Sequence, residues 1–462
     1  MFTRTSLHRP LAAATAVALT SGLLALSVSA ASAATPAKYA DDFNGDGYRD
    51  FASASTGGEF TVTYGTATGP GTTTKKFTQA SAGVPGTAGD AGGYADSFGD
   101  DLAAADLNRD GYADLAVADS SEKVGSKAGA GAVTILWGSK TGLTGTGAVR
   151  LKVTARADYG FGDQIETGDF NGDGKADLAV TDGVENVYIY RGGFSKSGTT
   201  GSVTKHTPSP SVTDVLEPTG LVAGKVTKDK ATDLFVLGQG YHSDKMTQDV
   251  WFLRGGSTIK PGKVTVVDSS KADYSPTGVV ADFNKDGYGD LAVSDTRSNN
   301  SAGSVVVWRG GSTAPTTKYR LSQSTSGVAT AATKGDSFGA SLSAGDTNGD
   351  GYPDLAVGVP EEKVGSTATA GGVHVLRGGK SGLTGTNSQW FSRATAGVPG
   401  TPTEYEMFGL LVRIRDIDRD GDKDLLVSPD YYFGTGVLLP GTGSGITATG
   451  AKELTVVAAF PQ

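Results

Sequence analysis

The chain has 462 residues, 69 of them Gly, no Cys, and a formal charge of −9. Without Cys it can build neither a disulfide framework nor a thiolate zinc site. Its acids gather in short Asp clusters, the opposite of the clustered Lys and Arg that nucleic-acid binding needs. Abundant Gly with many short apolar runs points to an all-β protein rich in turns.

Residues 1–33 read as a secretory signal peptide. Arg4 and Arg9 form a basic start, Leu11 to Val28 is apolar and small, and Ala31-Ser32-Ala33 fits the small-x-small cleavage pattern. The mature chain is then expected to begin near Ala34, to be secreted, and to hold no further apolar run long enough to span a bilayer.

From Asp42 onward one element recurs: Asp-x-Asn-x-Asp-Gly-x-x-Asp followed by an apolar run. It starts at Asp42, Asp106, Asp169, Asp282, Asp346 and, with Asp in place of Asn, Asp416. An eroded copy, KVTKDKATDLFV, starts at Lys225. Successive starts lie 64, 63, 56, 57, 64 and 70 residues apart. Self-similarity at a period near 60 indicates an array or a propeller.

Each unit reads as four strands. In the second unit they are Phe98 to Asp106, Asp114 to Ala118, Gly131 to Trp137 and Ala148 to Ala155, with the Asp loop between the first two. Third strands recur as NVYIYRGG, DVWFLRGG, SVVVWRGG and VHVLRGG, and fourth strands as KKFTQA, KVTVVD, KYRLSQ and ELTVVAAF. Four strands in about 60 residues cannot bury a core alone, so the units must pack on one another. The expected fold is an all-β, seven-bladed propeller over 34–462 with four antiparallel strands per blade. Its blades fall near 38–80, 94–156, 157–207, 213–270, 272–324, 335–394 and 405–460. Residues 34–41 are expected to supply the first strand of blade 1 and ELTVVAAF the last of blade 7, with the ring closed by packing and no exchanged strand.

The Asp loop has the donor set of a calcium site. Calcium takes six to eight oxygens, and positions 1, 3, 5 and 9 offer side-chain oxygens while position 7 offers its backbone carbonyl. The expected ligands are Asp42, Asn44, Asp46, Tyr48 and Asp50 in blade 1; Asp106, Asn108, Asp110, Tyr112 and Asp114 in blade 2; and Asp169, Asn171, Asp173, Lys175 and Asp177 in blade 3. Blade 5 offers Asp282, Asn284, Asp286, Tyr288 and Asp290, and blade 6 offers Asp346, Asn348, Asp350, Tyr352 and Asp354. Blade 7 offers Asp416, Asp418, Asp420, Asp422 and Asp424. Gly at position 6 allows the positive φ that folds the loop back on an ion. Three carboxylates and an amide suit calcium better than zinc, which prefers nitrogen and sulfur, or magnesium, which demands strict octahedral geometry. Position 12 is Ser or Val in every copy and a strand follows, so the loop is no EF-hand. Asp, Asn and Gly also make plain tight turns. Six copies with the same oxygen positions argue for metal, since uncompensated carboxylates so close repel one another. In blade 4, positions 1, 3 and 6 are Lys225, Thr227 and Lys230; the lysine at position 1 is expected to supply the positive charge that an ion supplies elsewhere, and that loop is expected to be empty. About six calcium sites result.

Phe-Gly pairs open four blades, at Phe98-Gly99, Phe161-Gly162, Phe338-Gly339 and Phe408-Gly409; DLAVGVP at 354–360 and Gly371-Gly372-Val373 follow in order. Together they resemble FG-GAP repeats, the blades of the integrin α-subunit head and of related secreted bacterial proteins often called VCBS-repeat proteins. The resemblance covers residues 38–460 and implies a seven-bladed propeller with calcium in the loop between strands 1 and 2 of some blades. Blades 1, 4 and 5 lack the Phe-Gly pair, and integrin ligand binding needs a partner subunit and further domains.

Nothing in the sequence marks a catalytic site. His206, His242 and His374 fall in different blades, and neither a G-x-S-x-G elbow nor an H-E-x-x-H is present. Trp137, Trp251 and Trp308 end third strands and Trp390 sits in a fourth, which fits inter-blade packing better than a ligand platform. The expected function is a secreted, monomeric binding or adhesion module for an extracellular protein or glycan. A polysaccharide- or lipid-directed hydrolase or lyase on the same scaffold, and a purely structural surface protein, are the alternatives.

Overall fold

The structure, a computed structural model, describes residues 35–55, 57–89, 97–208, 216–242, 245–268, 276–429 and 435–454. The leader at 1–33 and the end of the ELTVVAAF segment lie outside them. From Phe51 on, the chain runs through seven antiparallel sheets, each a meander in sequence order. Six have four strands, and the sheet of blade 1 has three among the described residues: Phe51–Ser55, Glu59–Thr66 and Gly69–Thr78. Blade 2 is representative, with Leu102–Ala105, Asp114–Asp119, Ala132–Trp137 and Thr144–Arg150. The first strands of blades 2 to 7 each touch the next, so they are the innermost. This is the seven-bladed propeller expected from the repeat.

The second strands (DLAVAD, DLAVT, DLAVSD, DLAVGV) are buried along their whole length. A strand covered on both faces reads as a continuous apolar run, which is why these segments do not alternate. The core is correspondingly divided into clusters, each straddling two neighbours. Phe60 and Phe77 of blade 1 pack with Leu115 and Val117 of blade 2, and Trp137 of blade 2 packs with Leu178 and Tyr190 of blade 3. At the seam, Phe51 packs with Ile417, Leu426 and Leu438 of blade 7, so side-chain packing joins the two ends of the array. Trp137, Trp251 and Trp308 all lie in inter-blade clusters.

The Phe-Gly pairs couple neighbouring blades. Each Phe is buried, and its N–H donates to the preceding blade at Ala130, Ala302 or Ala370 in three of the four cases, while the Gly N–H bonds the end of its own second strand. Three sequence expectations differ from the structure. The first strand of blade 2 starts at Leu102, not Phe98, because Phe98-Gly99 forms a turn closed by the Asp100 N–H on Ser97 O. Residues 35–41 form no strand: the Ala37 N–H donates to Asp106 of blade 2 at 2.9 Å, and Asp42 turns back onto Tyr39. The fourth strand of blade 2 starts at Thr144, not Ala148, because a bulge after Ile135 brings Thr144 opposite Trp137. The one helical turn among the described residues, Ser298–Ser301, follows a second strand and no Asp loop.

Candidate metal centres

The six intact loops share one backbone path. Position 6 has a positive φ in each: Gly47 87°, Gly111 94°, Gly174 83°, Gly287 87°, Gly351 85° and Gly421 100°. Position 4 is also left-handed, even as Arg109, Lys285 or Arg419. In blade 4 neither Lys228 nor Lys230 adopts that conformation, so the eroded loop takes another course.

Inside the loop the side-chain oxygens converge. The position-1 carboxylate accepts backbone N–H bonds: Asp42 from Gly45 and Gly47 (2.7 and 2.8 Å), Asp282 from Asp286 and Gly287 (3.0 and 2.7 Å), and Asp346 from Gly349 and Gly351 (2.8 Å each). The position-3 carbonyl accepts the position-5 N–H, and the position-5 carboxylate accepts the position-7 N–H, as in Asn108, Asp110 and Tyr112 at 2.8 and 3.1 Å. Asp106 and Asp169 hold their loops in the same way. Such a set of oxygens could hold a hard cation. Carboxylate oxygens of Asp416, Asp418 and Asp420 lie within 4.8 Å of one another. Two buried oxygens, Asp290 Oδ2 and Asp416 Oδ1, have no protein hydrogen-bond partner. An unpaired anionic oxygen away from water costs free energy that a cation would recover.

Position 9 does a second job that sequence reasoning missed. In all seven blades its Oδ1 accepts the N–H of a Gly at or just past the end of the third strand: Gly65, Gly138, Gly192, Gly255, Gly310, Gly378 and Gly441, at 2.6–2.9 Å. That Gly is pressed on the residue before the Asp. A Cβ on Gly138 would stand 2.1 Å from Ala113 O, and one on Gly255 2.1 Å from Thr232 O. The bracket persists in blade 4, where Asp233 also takes the N–H groups of Val226 and Thr227. A metal ligand alone would not have outlived the loss of its loop; a fold bracket would. The signal available was the Asp-Leu pair kept at Asp233. Burial raises these carboxyls, with the neighbouring loop acids adding to it: Asp50 to about 7, Asp114 to about 8, and Asp177 and Asp290 to about 6.

In blade 4 the cation near the remaining acid is not Lys225, which is exposed, but Arg254, whose Nη2 donates to Asp229 at 3.0 Å. The Arg of the recurring R-G-G also reaches position 9 in blades 3 and 6, as Arg191–Asp177 (3.4 Å) and Arg377–Asp354 (2.8 Å).

Neighbouring loops touch. Position 4 of one lies against position 7 of the next: Arg419 over Tyr48 (4.8 Å), Lys228 over Tyr288 (4.2 Å) and Lys285 over Tyr352 (5.6 Å). Gly45 abuts Tyr112, and Gly172 abuts Ala231, in the same relation.

The histidines stay apart. His374 is fully buried, its Nε2 2.8 Å from Thr330 Oγ1, and burial pushes its pKa down to about 4. His242 pairs with Asp249 at 2.7 Å, and His206 contacts Thr204.

Two family models match the chain: an FG-GAP repeat over 276–308 and 338–376, and an FG-GAP-like repeat over 42–117 and 106–180. Integrin alpha-6 of Gallus gallus is 42% identical over 115 residues, 23% of this chain and 10% of that protein. Phosphatidylinositol-glycan-specific phospholipase D of Rattus norvegicus is 30% identical over 161 residues, 34% of this chain and 18% of that protein. The matches thus span less than a fifth of either relative. The crystal structure of AofleA from Arthrobotrys oligospora aligns with a TM-score of 0.35 and 12% identity, over 78% of this chain and 90% of that one.

Proposed function

The chain is an integrin-α-like FG-GAP propeller, and from that premise we propose that it is a secreted calcium-binding module that presents an extracellular protein or glycan ligand with a surface stiffened by its loops. FG-GAP propellers of the integrin α type generally bind divalent cations. The observation that carries the calcium reading is the single geometry shared by six loops, with unpaired carboxylate oxygens at Asp290 and Asp416. When bound, the ion would neutralise the converging carboxylates. Asp42, Asn44, Asp46 and Asp50, and their counterparts in blades 2, 3, 5, 6 and 7, would hold it. The matched integrin is an extracellular protein, which accords with export. No helix among the described residues is long and apolar enough to cross a membrane.

Calorimetric titration of the chelator-stripped mature chain should count about six calcium ions. A glycan array and a pull-down, run with and without calcium, should return a ligand retained only in the loaded state. A count near zero would remove the premise. Ligand retention unaffected by chelation would separate binding from the loops.

A second reading, a lipid- or glycan-directed hydrolase, is favoured by the match to a phospholipase D specific for phosphatidylinositol-glycan. It predicts hydrolysis of that class of substrate, water cleaving the phosphate–inositol bond to give phosphatidic acid and the inositol glycan, in an assay independent of the binding test.

A further inference from the structure

Between successive blades, the turn after the third strand inserts one apolar side chain as a plug in blades 2, 3, 4, 6 and 7. Leu143 of blade 2 enters the cluster of Phe60 and Phe77, and Phe194 of blade 3 that of Ile135 and Trp137. Ile259 of blade 4 packs among Phe170 and Ile189 of blade 3. Leu383 of blade 6 and Ile446 of blade 7 do the same one blade further on. Two plugs are also anchored by their own N–H, Leu143 on the Tyr64 hydroxyl and Leu383 on that of Tyr319, at 3.0 and 2.9 Å.

Blade 5 breaks this rule. Its turn GGSTAP has the length of GGSTIK in blade 4, and Ala314 stands where Ile259 stands. Ala314 is only partly buried. Between blades 4 and 5 a groove of about 540 Å³ is left open, walled by Phe235, Phe252, Leu291 and Trp308. The corresponding space between blades 2 and 3, where Phe194 intrudes, is about 190 Å³.

The groove has a charge sense as well as a shape. Lys263 and Lys318 are exposed at its edge, with Lys318 Nζ 5.0 Å over the Trp308 ring, and no carboxylate lines it. Its volume lies in the range of small-ligand sites, and an apolar interior with a few charged groups at the rim is their usual composition. Trp308 is 7% exposed, so it offers no open face on which a sugar ring could stack. A flexible aliphatic chain can enter where a ring cannot.

We propose that the groove between blades 4 and 5 is a binding site for a soluble single-chain carboxylate of the fatty-acid class, its alkyl chain taking the place of the missing plug and its carboxylate held by Lys263 and Lys318. This inference stands apart from the calcium loops and from the ligand they serve.

The probes are octanoate, decanoate and laurate below their aggregation limits, titrated calorimetrically into the calcium-loaded mature chain. Affinity should rise about three- to fourfold per added methylene as each is buried. Dodecyltrimethylammonium, with the same chain and the opposite charge, should bind more weakly than laurate. Ala314→Ile, which copies the plug of blade 4, should lower laurate affinity at least tenfold without lowering the melting temperature. Ala314→Val should give an intermediate loss and serves if the larger residue overpacks. Lys263→Gln and Lys318→Gln should each cost about two- to fivefold, the scale of an exposed ion pair.

Laurate binding unchanged in both Ala314 variants would overturn the proposal, as would equal binding of the cationic amphiphile. Capture by phosphatidylglycerol vesicles without binding of free laurate would overturn it too, by assigning the face to a membrane.

Discussion

Asp233 offers a direct test of the bracket, because blade 4 has the bracket without the metal loop. Its Oδ2 takes the N–H groups of Val226 and Thr227 and the Thr227 hydroxyl, at 3.1, 2.8 and 3.0 Å, and its Oδ1 takes the Gly255 N–H at 2.9 Å. The carboxylate is fully buried. Asp233→Ala would leave three backbone donors without an acceptor, at about 1–3 kcal/mol each. Removing a buried charge, whose pKa burial already raises, returns part of that. A net loss of about 3–5 kcal/mol follows, or roughly 3–6 °C in a chain of this size. The assay is thermal unfolding with and without EDTA. The drop should be the same in both, since no ion depends on this residue. Asp114→Ala in blade 2 should lose a similar bracket and also shrink the EDTA effect. A loss under about 1 kcal/mol for Asp233→Ala, the size expected of an exposed pair, would refute the bracket. So would a loss seen only with calcium present.

Chelation itself should lower the melting temperature of the wild-type chain, because each loop loaded at 100-fold over its Kd contributes about 2.7 kcal/mol; an unchanged curve in EDTA would contradict six metal sites. Asp106→Ala and Asp346→Ala should each remove one ion from the titrated count, whereas Asp229→Ala, which frees Arg254 and the Ala231 N–H, should remove none. The blade 7 loop, with four carboxylates at its ligand positions and Asp422 beside them, should hold its ion at least as tightly as the blade 3 loop with Lys175 at position 7; emptying first would speak against it. Glu166 and Asp101 line a central cavity near Arg413, and burial raises their pKa values to about 8 and about 7. The folded state therefore binds more protons than the unfolded one between about pH 4.5 and 8, so stability should fall as pH rises through that window, by at most ~1.4 kcal/mol per pH unit for each group. Glu166→Gln should flatten the decline in a series of melts from pH 5 to 9, and an unaltered slope would show that this carboxyl does not titrate there.

The repeat, the blade count and the position of each Asp loop were legible in the sequence because they are local. Three carboxylates and a Gly at fixed spacing dictate a turn, and the apolar run behind it dictates a strand. What escaped depends on contacts between distant segments. Asp114 in a loop of acids reads as a ligand, and nothing within its loop reveals that Gly138, 24 residues on, hangs from it. Residues 35–41 look extended, yet the Ala37 N–H finds Asp106 of the next blade instead of a sheet partner. The plugs are single apolar residues in polar turns, and Leu143 or Ala314 acquires meaning only against the blade before it. Lys225 occupies position 1 in the sequence, but the cation that reaches Asp229 is Arg254 on the third strand.

The contacts from position 4 of one loop to position 7 of the next do not run unbroken around the rim. They link blades 7, 1 and 2, and then blades 3, 4, 5 and 6. At the two joints the pattern fails chemically. Between blades 2 and 3 the paired positions hold Arg109 and Lys175, two cations that repel. Between blades 6 and 7 Gly349 has only Gly443 O nearby, at 3.8 Å from where its Cβ would be, and Asp422 replaces the aromatic ring. The rim is thus two arcs rather than a circle. Order gained in one loop can pass to its neighbour along an arc and stops at a joint. The smallest part of this face that can loosen or tighten together is then an arc of three or four blades, and the longer arc contains the loop in blade 4 expected to hold no ion.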